Sequence, residues 1–257
     1  MNKSIAILLG ILLFVSCNES IKDESKNSMF KLINQKSEVL LEKDGVSFRD
    51  LNGNEKLDIY EDVNQPIEDR IDDLLSQMTL EEKAGMMFIN GAPVSVDGKP
   101  DGTEGLEGPA SRMASVVENM NNLKMNHFNI WSIPADPNIF AQWYNNTQQV
   151  AEKTRLGIPI TIASDPRHHF SNSIFSLSAN GFTQFCEMPG FAAIGDEKLV
   201  SEFANIVREE YLAVGIREAL HPQIDLATEP RWSRVSGNFS EDAELTARLV
   251  KPYILGL

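Results

Sequence analysis

The stretch Leu156-Gly-Ile-Pro-Ile-Thr-Ile-Ala-Ser-Asp-Pro-Arg-His-His-Phe170 sets the fold class. Gly157 ends a helical segment, Ile139–Arg155. Ile158–Ser164 (IPITIAS) is then a short apolar run rich in β-branched residues, and Asp165-Pro166-Arg167-His168-His169 follows it directly. A run of that length, bounded by Gly and by an X-Pro step, reads as a buried strand. Helix, strand and abrupt polar loop, in that order, is the unit of a parallel sheet covered by helices.

The same alternation extends both ways. Pro66 opens a helix in which Ile67, Ile71, Leu74, Leu75 and Met78 recur at helical spacing, with acids and Arg70 on the other face. Thr79 and Glu82 have the spacing of a capping box for a second short helix. Gly85–Asn90 is a candidate strand, Gly91–Gly108 a loop, Met113–Leu123 a helix and Phe128–Ile133 a strand. Downstream, Ser171–Gly190 reads as a long loop. Asp196 caps a helix carrying Leu199, Phe203, Ile206, Val207 and Tyr211, which Gly215 closes. Ile224–Ala227 is a short strand, and a last helix starts near Ser240. No internal repeat interrupts this order. A (β/α)8 barrel needs about eight such strands. Residues 66–257 therefore fit an α/β fold, a partial TIM-type (β/α)8 barrel amounting to roughly the first half.

Composition narrows the partners. The chain has 257 residues, 42% of them apolar, and a net charge of −14 from 37 acids against 23 bases. These values exclude a collagen-like or largely disordered chain. An acidic surface repels phosphate backbones, which excludes nucleic acid, whereas a neutral sugar is compatible with it. Cys17 and Cys186 are the only cysteines, too few for a disulfide framework. Cys186 reads as a small core or loop residue.

The first segment reads as an address. Lys3 precedes an apolar run, Ile5–Val15, that is shorter than the roughly 20 residues of a membrane span. It ends in Phe14-Val15-Ser16-Cys17, which resembles a bacterial lipobox with Cys17 as the lipidated residue. Residues 1–17 are then a lipoprotein signal and 18–44 a tether. The product is an exported, membrane-anchored lipoprotein, periplasmic or on the outer membrane. The alternative is a plain signal peptide with an incidental cysteine.

Residues 45–65 hold a calcium-like loop. Asp50, Asn52, Asn54, Asp58 and Glu61 fall at positions 1, 3, 5, 9 and 12 of an EF-hand spacing, with Lys56 offering its backbone carbonyl. Position 6 is Glu55, where the sharp turn favours glycine. Either the loop holds a structural calcium or it is an Asx-rich turn. No other cofactor is required.

Two polar clusters follow candidate strands. In the first, Asp165 is placed to accept hydrogen bonds from two sugar hydroxyls, because the carboxyl ends of parallel strands form the mouth of a barrel. The plainer reading is that Asp165 caps a turn before Pro166. In the second, Asp225-Leu-Ala-Thr-Glu-Pro-Arg-Trp-Ser-Arg234, the planar fork of Arg234 suits vicinal hydroxyls and Trp232 a sugar ring face. The plainer reading there is a surface arginine pair beside a buried tryptophan.

Pro66–Lys83 (PIEDRIDDLLSQMTLEEK), LGIPITIASDPRHHF and EPRWSRVSGNFSED together resemble glycoside hydrolase family 3, of the β-glucosidase type, over about residues 45–257. GNEKLDIYED before the barrel is also similar to bacterial members. The family's commoner forms are Glu-Asp-Ala-Leu-His-Gly for the first loop and DPRWGR for the second. Here Pro166-Arg167 replaces a small pair, His169 replaces Gly, and Glu229 and Ser233 replace Asp and Gly.

The resemblance implies that Asp165, Arg234 and His168 bind the substrate, a β-linked oligosaccharide or glucoside. It implies exo-acting, retaining hydrolysis in carbohydrate catabolism. The family's nucleophile lies in a Ser-Asp-Trp-like segment beyond a Lys-His-Phe segment, and neither occurs here. The expectation is a fragment inactive alone, with nucleophile and acid/base beyond Leu257 and a missing C-terminal half as a partner. Alternatives are a non-catalytic carbohydrate-binding lipoprotein or a calcium-stabilised surface lipoprotein.

Overall fold

The computed structural model describes residues 40–257 apart from 103, 108, 109, 171–178 and 180. Cys17, the apolar leader and nearly all of the expected tether lie outside the described residues. The described chain opens on a hairpin, β1 (Leu40–Lys43) against β2 (Val46–Arg49), paired antiparallel. Asp44 and Gly45 turn it with φ of 53° and 75°, the left-handed pair that suits a tight hairpin. The tether expected to reach residue 44 thus gives way at Leu40 to a strand, for which the Asp-Gly pair was the signal.

Helices α1 (Ile67–Gln77) and α2 (Leu80–Gly85) follow, the latter with the expected Thr79–Glu82 capping box. The strands β3 (Ile89–Ala92), β4 (His127–Ile130), β5 (Thr161–Ser164) and β6 (Glu218–Ala219) then form one parallel sheet in chain order. Between them run α3 (Val116–Leu123), α4 (Pro137–Ala151), α5 (Met188–Ile194) and α6 (Glu197–Val214), and α7 (Ala243–Gly256) comes last. Ser115, Asp136, Asp196 and Asp242 each accept a backbone N–H from the first turn of the helix they precede. These caps answer the donors that a helix start leaves unpaired. Gly215 ends α6 with φ +98°, and a Cβ there would lie 2.4 Å from the Tyr144 ring.

Three boundaries depart from the sequence reading. The strand expected over Gly85–Asn90 begins only at Ile89, because α2 runs to Gly85 and Met86–Met87 make a turn. The strand expected over Ile224–Ala227 does not form. The ladder instead uses Glu218–Ala219, with Arg217 N–H donating to Ile162 and Leu220 N–H to Ser164. Pro222 has no N–H with which to continue it. The loop expected over Ser171–Gly190 ends at Glu187, where α5 starts with Pro189 in its first turn.

The core lies between the sheet and the helices α4, α6 and α7. Phe128, Ile130 and Ile162 from the strands meet Phe140 and Trp143 of α4 and Phe203 and Val207 of α6, all buried. The Phe203 ring packs against Phe185, Phe191 and Tyr253 at centroid distances of 4.9, 4.8 and 5.3 Å. In contrast, α1 buries no residue, and Ile67, Ile71 and Leu75 on its apolar stripe are exposed. The N-terminal segment is fastened by buried Phe48, Tyr60 and Met78 and by polar contacts. Arg155, after α4, donates from Nη2 to the Gln77 carbonyl at 2.8 Å and from Nε to Glu82 at 3.0 Å. Tyr60 Oη donates to the Leu156 carbonyl at 3.3 Å.

Candidate sugar site at the carboxyl edge of the sheet

Asp165 N–H donates to the Ile130 carbonyl at 3.2 Å, carrying the β4–β5 pairing one residue past Ser164. Asp165 therefore stands at the carboxyl edge of the sheet. It is half-buried, and its carboxylate accepts no hydrogen bond among the described residues. Ser164 Oγ turns inward and donates to the Pro166 carbonyl at 2.9 Å.

Behind Asp165 the loop is buried and polar. His168 is 1% exposed; its Nε2 lies 2.9 Å from Glu210 of α6. A carboxylate can only accept, so Nε2 carries the proton and Nδ1, which has no partner among the described residues, is bare. Glu210 also accepts from the Thr183 N–H and hydroxyl. Tyr211 donates its hydroxyl proton to the Pro166 carbonyl at 2.8 Å, so His221 Nε2, at 3.0 Å, donates to the phenol oxygen. His169 Nδ1 donates to the Cys186 carbonyl at 2.6 Å, and Arg167 reaches Glu187 at 3.3 Å.

Burial holds these imidazoles neutral. It pushes His168 down to about 4 against the opposing pull of Glu210. It pushes His169 and His221 down to about 3, and the Arg167 guanidinium adds to the shift. His168, expected to touch substrate, thus sits beneath the rim and ties the Asp165 loop to α6. The supports Glu210, Tyr211 and His221 had no sequence motif. Their only signal was polarity on the buried stripe of a helix and beside a proline.

The second loop behaves differently. Glu229 and Arg231 pair in two-point fashion, Nε to Oε1 at 2.8 Å and Nη2 to Oε2 at 2.7 Å. That hydrogen bonding holds the Glu229 carboxyl at about 2, low for a glutamate. Trp232, expected to be buried in the plainer reading, is exposed. Arg234 is exposed and its guanidinium makes no ion pair among the described residues. Its carbonyl accepts from Gly237 N–H and Asn238 Nδ2. The two loops meet just behind these side chains. A Cβ on Gly237 would lie 3.5 Å from Arg167 Nη1 and 2.1 Å from Gln223 Oε1, so the Gln223 amide would have to move aside.

The loop Asp50–Glu61 closes on its own groups. Asp50 accepts the backbone N–H of Gly53, Asn54 and Glu55, and Glu61 accepts those of Leu51 and Asp58. Asn52 and Asn54 both direct their side-chain amides at Asp58 Oδ2, at 2.5 and 2.8 Å. Glu55 adopts φ +61°, the left-handed turn that glycine would take at this place. No group of three or more His, Cys, Asp or Glu side chains among the described residues is arranged to hold a metal. The convergent oxygens would have to come partly from the two asparagines.

A parallel α/β sheet in chain order, with helices between its strands, is consistent with part of a barrel-type domain. The model of the glycosyl hydrolase family 3 N-terminal domain matches residues 123–257, and the chain belongs to that family. It is 45% identical over 219 residues to a periplasmic beta-glucosidase/beta-xylosidase of Dickeya chrysanthemi, covering 85% of this chain and 33% of that protein. It is 44% identical over 204 residues to beta-glucosidase C of Emericella nidulans, covering 78% and 31%. A solved β-glucosidase from Erythrobacter marinus superposes with a TM-score of 0.59 at 23% identity, over 78% of this chain and 24% of that one, a likeness of fold. The chain thus spans about a third of the length of the curated relatives it matches.

Proposed function

We propose that this chain contributes the sugar-gripping part of an exo-acting, retaining β-glucoside hydrolase. Asp165 accepts hydrogen bonds from two hydroxyls at the non-reducing end, and Arg234 donates its fork to neighbouring ones. His168, through Glu210, keeps the Asp165 loop in place. One observation carries this reading. Asp165 and Arg234 keep open hydrogen-bond capacity on loops that approach one another at Arg167 and Gly237, while Glu210, Tyr211, Glu229 and Arg231 beside them are engaged with neighbouring groups. The names of the curated relatives support a β-glucoside as substrate.

The reaction needs a carboxylate nucleophile and an acid/base. The sequence contains no Ser-Asp-Trp or Lys-His-Phe segment of the kind the family uses. The chain alone therefore binds sugar without turning it over. Calorimetric titration with a β-glucoside disaccharide tests this, beside an aryl β-glucoside assay. Binding that Asp165→Ala and Arg234→Ala each remove, without turnover, is expected. Binding indifferent to both substitutions overturns the site, and turnover overturns the inactivity. Export belongs to the same reading, supported by the periplasmic relative; lipid anchoring through Cys17 rests on the lipobox-like Phe14–Cys17 alone, and radiolabelled palmitate incorporation lost in Cys17→Ala tests it.

A structural calcium in Asp50–Glu61 is a second element of this reading. Support comes from the left-handed Glu55 and from the loop spacing of Asp50, Asn52, Asn54, the Lys56 carbonyl, Asp58 and Glu61; the Asn52 and Asn54 amides donate to Asp58 Oδ2 and would turn their oxygens inward to bind the ion. Chelation is expected to lower the melting temperature, and calcium to restore it. A melt unmoved by chelator overturns the assignment.

A further inference from the structure

The rim that carries Asp165 also carries an aromatic ring. Ile130 pairs with Ser164 across the β4–β5 ladder, and the Asp165 N–H donates to the Ile130 carbonyl. Trp131 and Asp165 are therefore the next two residues along neighbouring parallel strands, which lie about 4.8 Å apart. Side chains alternate across a sheet. Phe128, Ile130 and Ile162 are buried against the helices, so Asn129, Trp131, Ala163 and Asp165 belong to the other face. Gly91 shows where the indole lies. It pairs with Asn129, and a Cβ on it would stand 3.3 Å from Trp131 Cζ2 and 2.2 Å from Met113 Cε. The indole edge thus rests against β3 at a place that has no side chain, and the ring stays 43% exposed. Among the described residues Trp131 packs on no other aromatic ring and its indole N–H has no acceptor. Trp143, in contrast, is fully buried in the core. The groove of about 580 Å³ beside α7 is walled by Ile224, Leu226, Val250, Ile254 and Leu255 and has no aromatic side chain.

We propose that Trp131 is a sugar-binding residue of this rim, its open indole face receiving the C–H face of the same pyranose ring whose edge hydroxyls reach Asp165. The inference rests on the sugar site proposed above and supplies its apolar wall. A β-glucopyranose carries its hydroxyls around its edge and C–H bonds on both faces. A carboxylate answers the edge but leaves the faces in contact with water. An aromatic ring covers one face over a large area and asks for no hydrogen bond in return. The two side chains divide the work. Asp165 selects which hydroxyls point inward, and the indole sets the plane in which the ring lies. Neither a charged nor an aliphatic residue at position 131 would do the second.

The test titrates the full chain with a β-glucoside disaccharide in a calorimeter, beside Trp131→Ala, Trp131→Phe and Asp165→Ala. Trp131→Ala is expected to weaken binding about tenfold or more, and Trp131→Phe, which keeps a ring face, about threefold or less. Quenching of tryptophan fluorescence by acrylamide gives a second readout. Saturating disaccharide is expected to shield the wild-type fluorescence, and the shielding is expected to vanish in Trp131→Phe although sugar still binds. A residue that merely held the rim in shape would leave the shielding as it was. Binding lost in Asp165→Ala but unchanged in Trp131→Ala overturns the inference and leaves the sugar site standing. Shielding that persists in Trp131→Phe overturns it too. Binding indifferent to Asp165→Ala, or no binding at all, overturns the site itself and the inference with it.

Discussion

Lowering the pH from about 7.5 to about 5.5 is expected to weaken the fold well before carboxylates protonate. His168, His169 and His221 are buried and neutral, pushed from an ordinary value of 6.5 to about 4, 3 and 3. For a depressed histidine the unfolded chain takes up its proton first. Stability is therefore full above 6.5 and is lost as the pH falls from there towards the folded values. One unit below 6.5, each group contributes about 1.4 kcal/mol of lost stability, so the three together remove about 4 kcal/mol, an order-of-magnitude figure. That is a large part of the roughly 5–15 kcal/mol typical of a domain. Urea unfolding followed by far-ultraviolet circular dichroism measures it directly, with the slope against pH reporting the protons taken up. An unfolding free energy that stays level between these two conditions would refute the burial of three neutral imidazoles under the Asp165 loop.

Three substitutions test the scaffold. Tyr211→Phe removes the hydroxyl that joins Pro166 to His221, leaving the buried imidazole N–H without a partner and the Pro166 carbonyl with Ser164 alone; a loss of about 1–3 kcal/mol in a chemical melt is expected. Gly215→Ala forces a side chain into φ +98° with its Cβ 2.4 Å from the Tyr144 ring; thermal melting should show a loss greater than about 1 kcal/mol. Thr79→Ala removes the oxygen that accepts the Glu82 N–H at 3.2 Å, and about 1 kcal/mol should go, read by denaturant midpoint.

The helices were legible because their ends are written locally. Thr79 with Glu82, Asp196 and Gly215 each act within one or two turns, and the structure uses each as expected. The strands were less so. β6 is two residues long and reads Glu-Ala, so pairing to Ser164 and its neighbours, not its own pattern, makes it a strand. Ile224–Ala227 has the apolar pattern but no partner strand, and its side chains go to the α7 groove instead. At the site, Asp165 and Arg234 stood out because charged residues directly after apolar runs are conspicuous. Glu210 and Tyr211 did not, because their partners lie 42 and 45 positions away in sequence.

Open hydrogen-bond capacity, not cavity size, separates the two surfaces of this molecule. The 580 Å³ groove is lined almost wholly by aliphatic side chains and contains neither Asp165 nor Arg234. A sugar placed there would bury hydroxyls without partners, at about 1–3 kcal/mol for each, so the groove rejects saccharide. The reverse holds at the carboxyl edge. There the buried imidazoles, Glu210 and Tyr211 answer one another, and the Glu229–Arg231 pair closes on itself. The rim offers a ligand the Asp165 carboxylate and the Arg234 guanidinium, acceptor and donor, the complement that adjacent hydroxyls require. Saccharide binding should therefore be insensitive to Leu255→Gln and abolished by Asp165→Ala, as calorimetric titration would read. Loss of saccharide binding in Leu255→Gln would mean that the groove and the site are one surface.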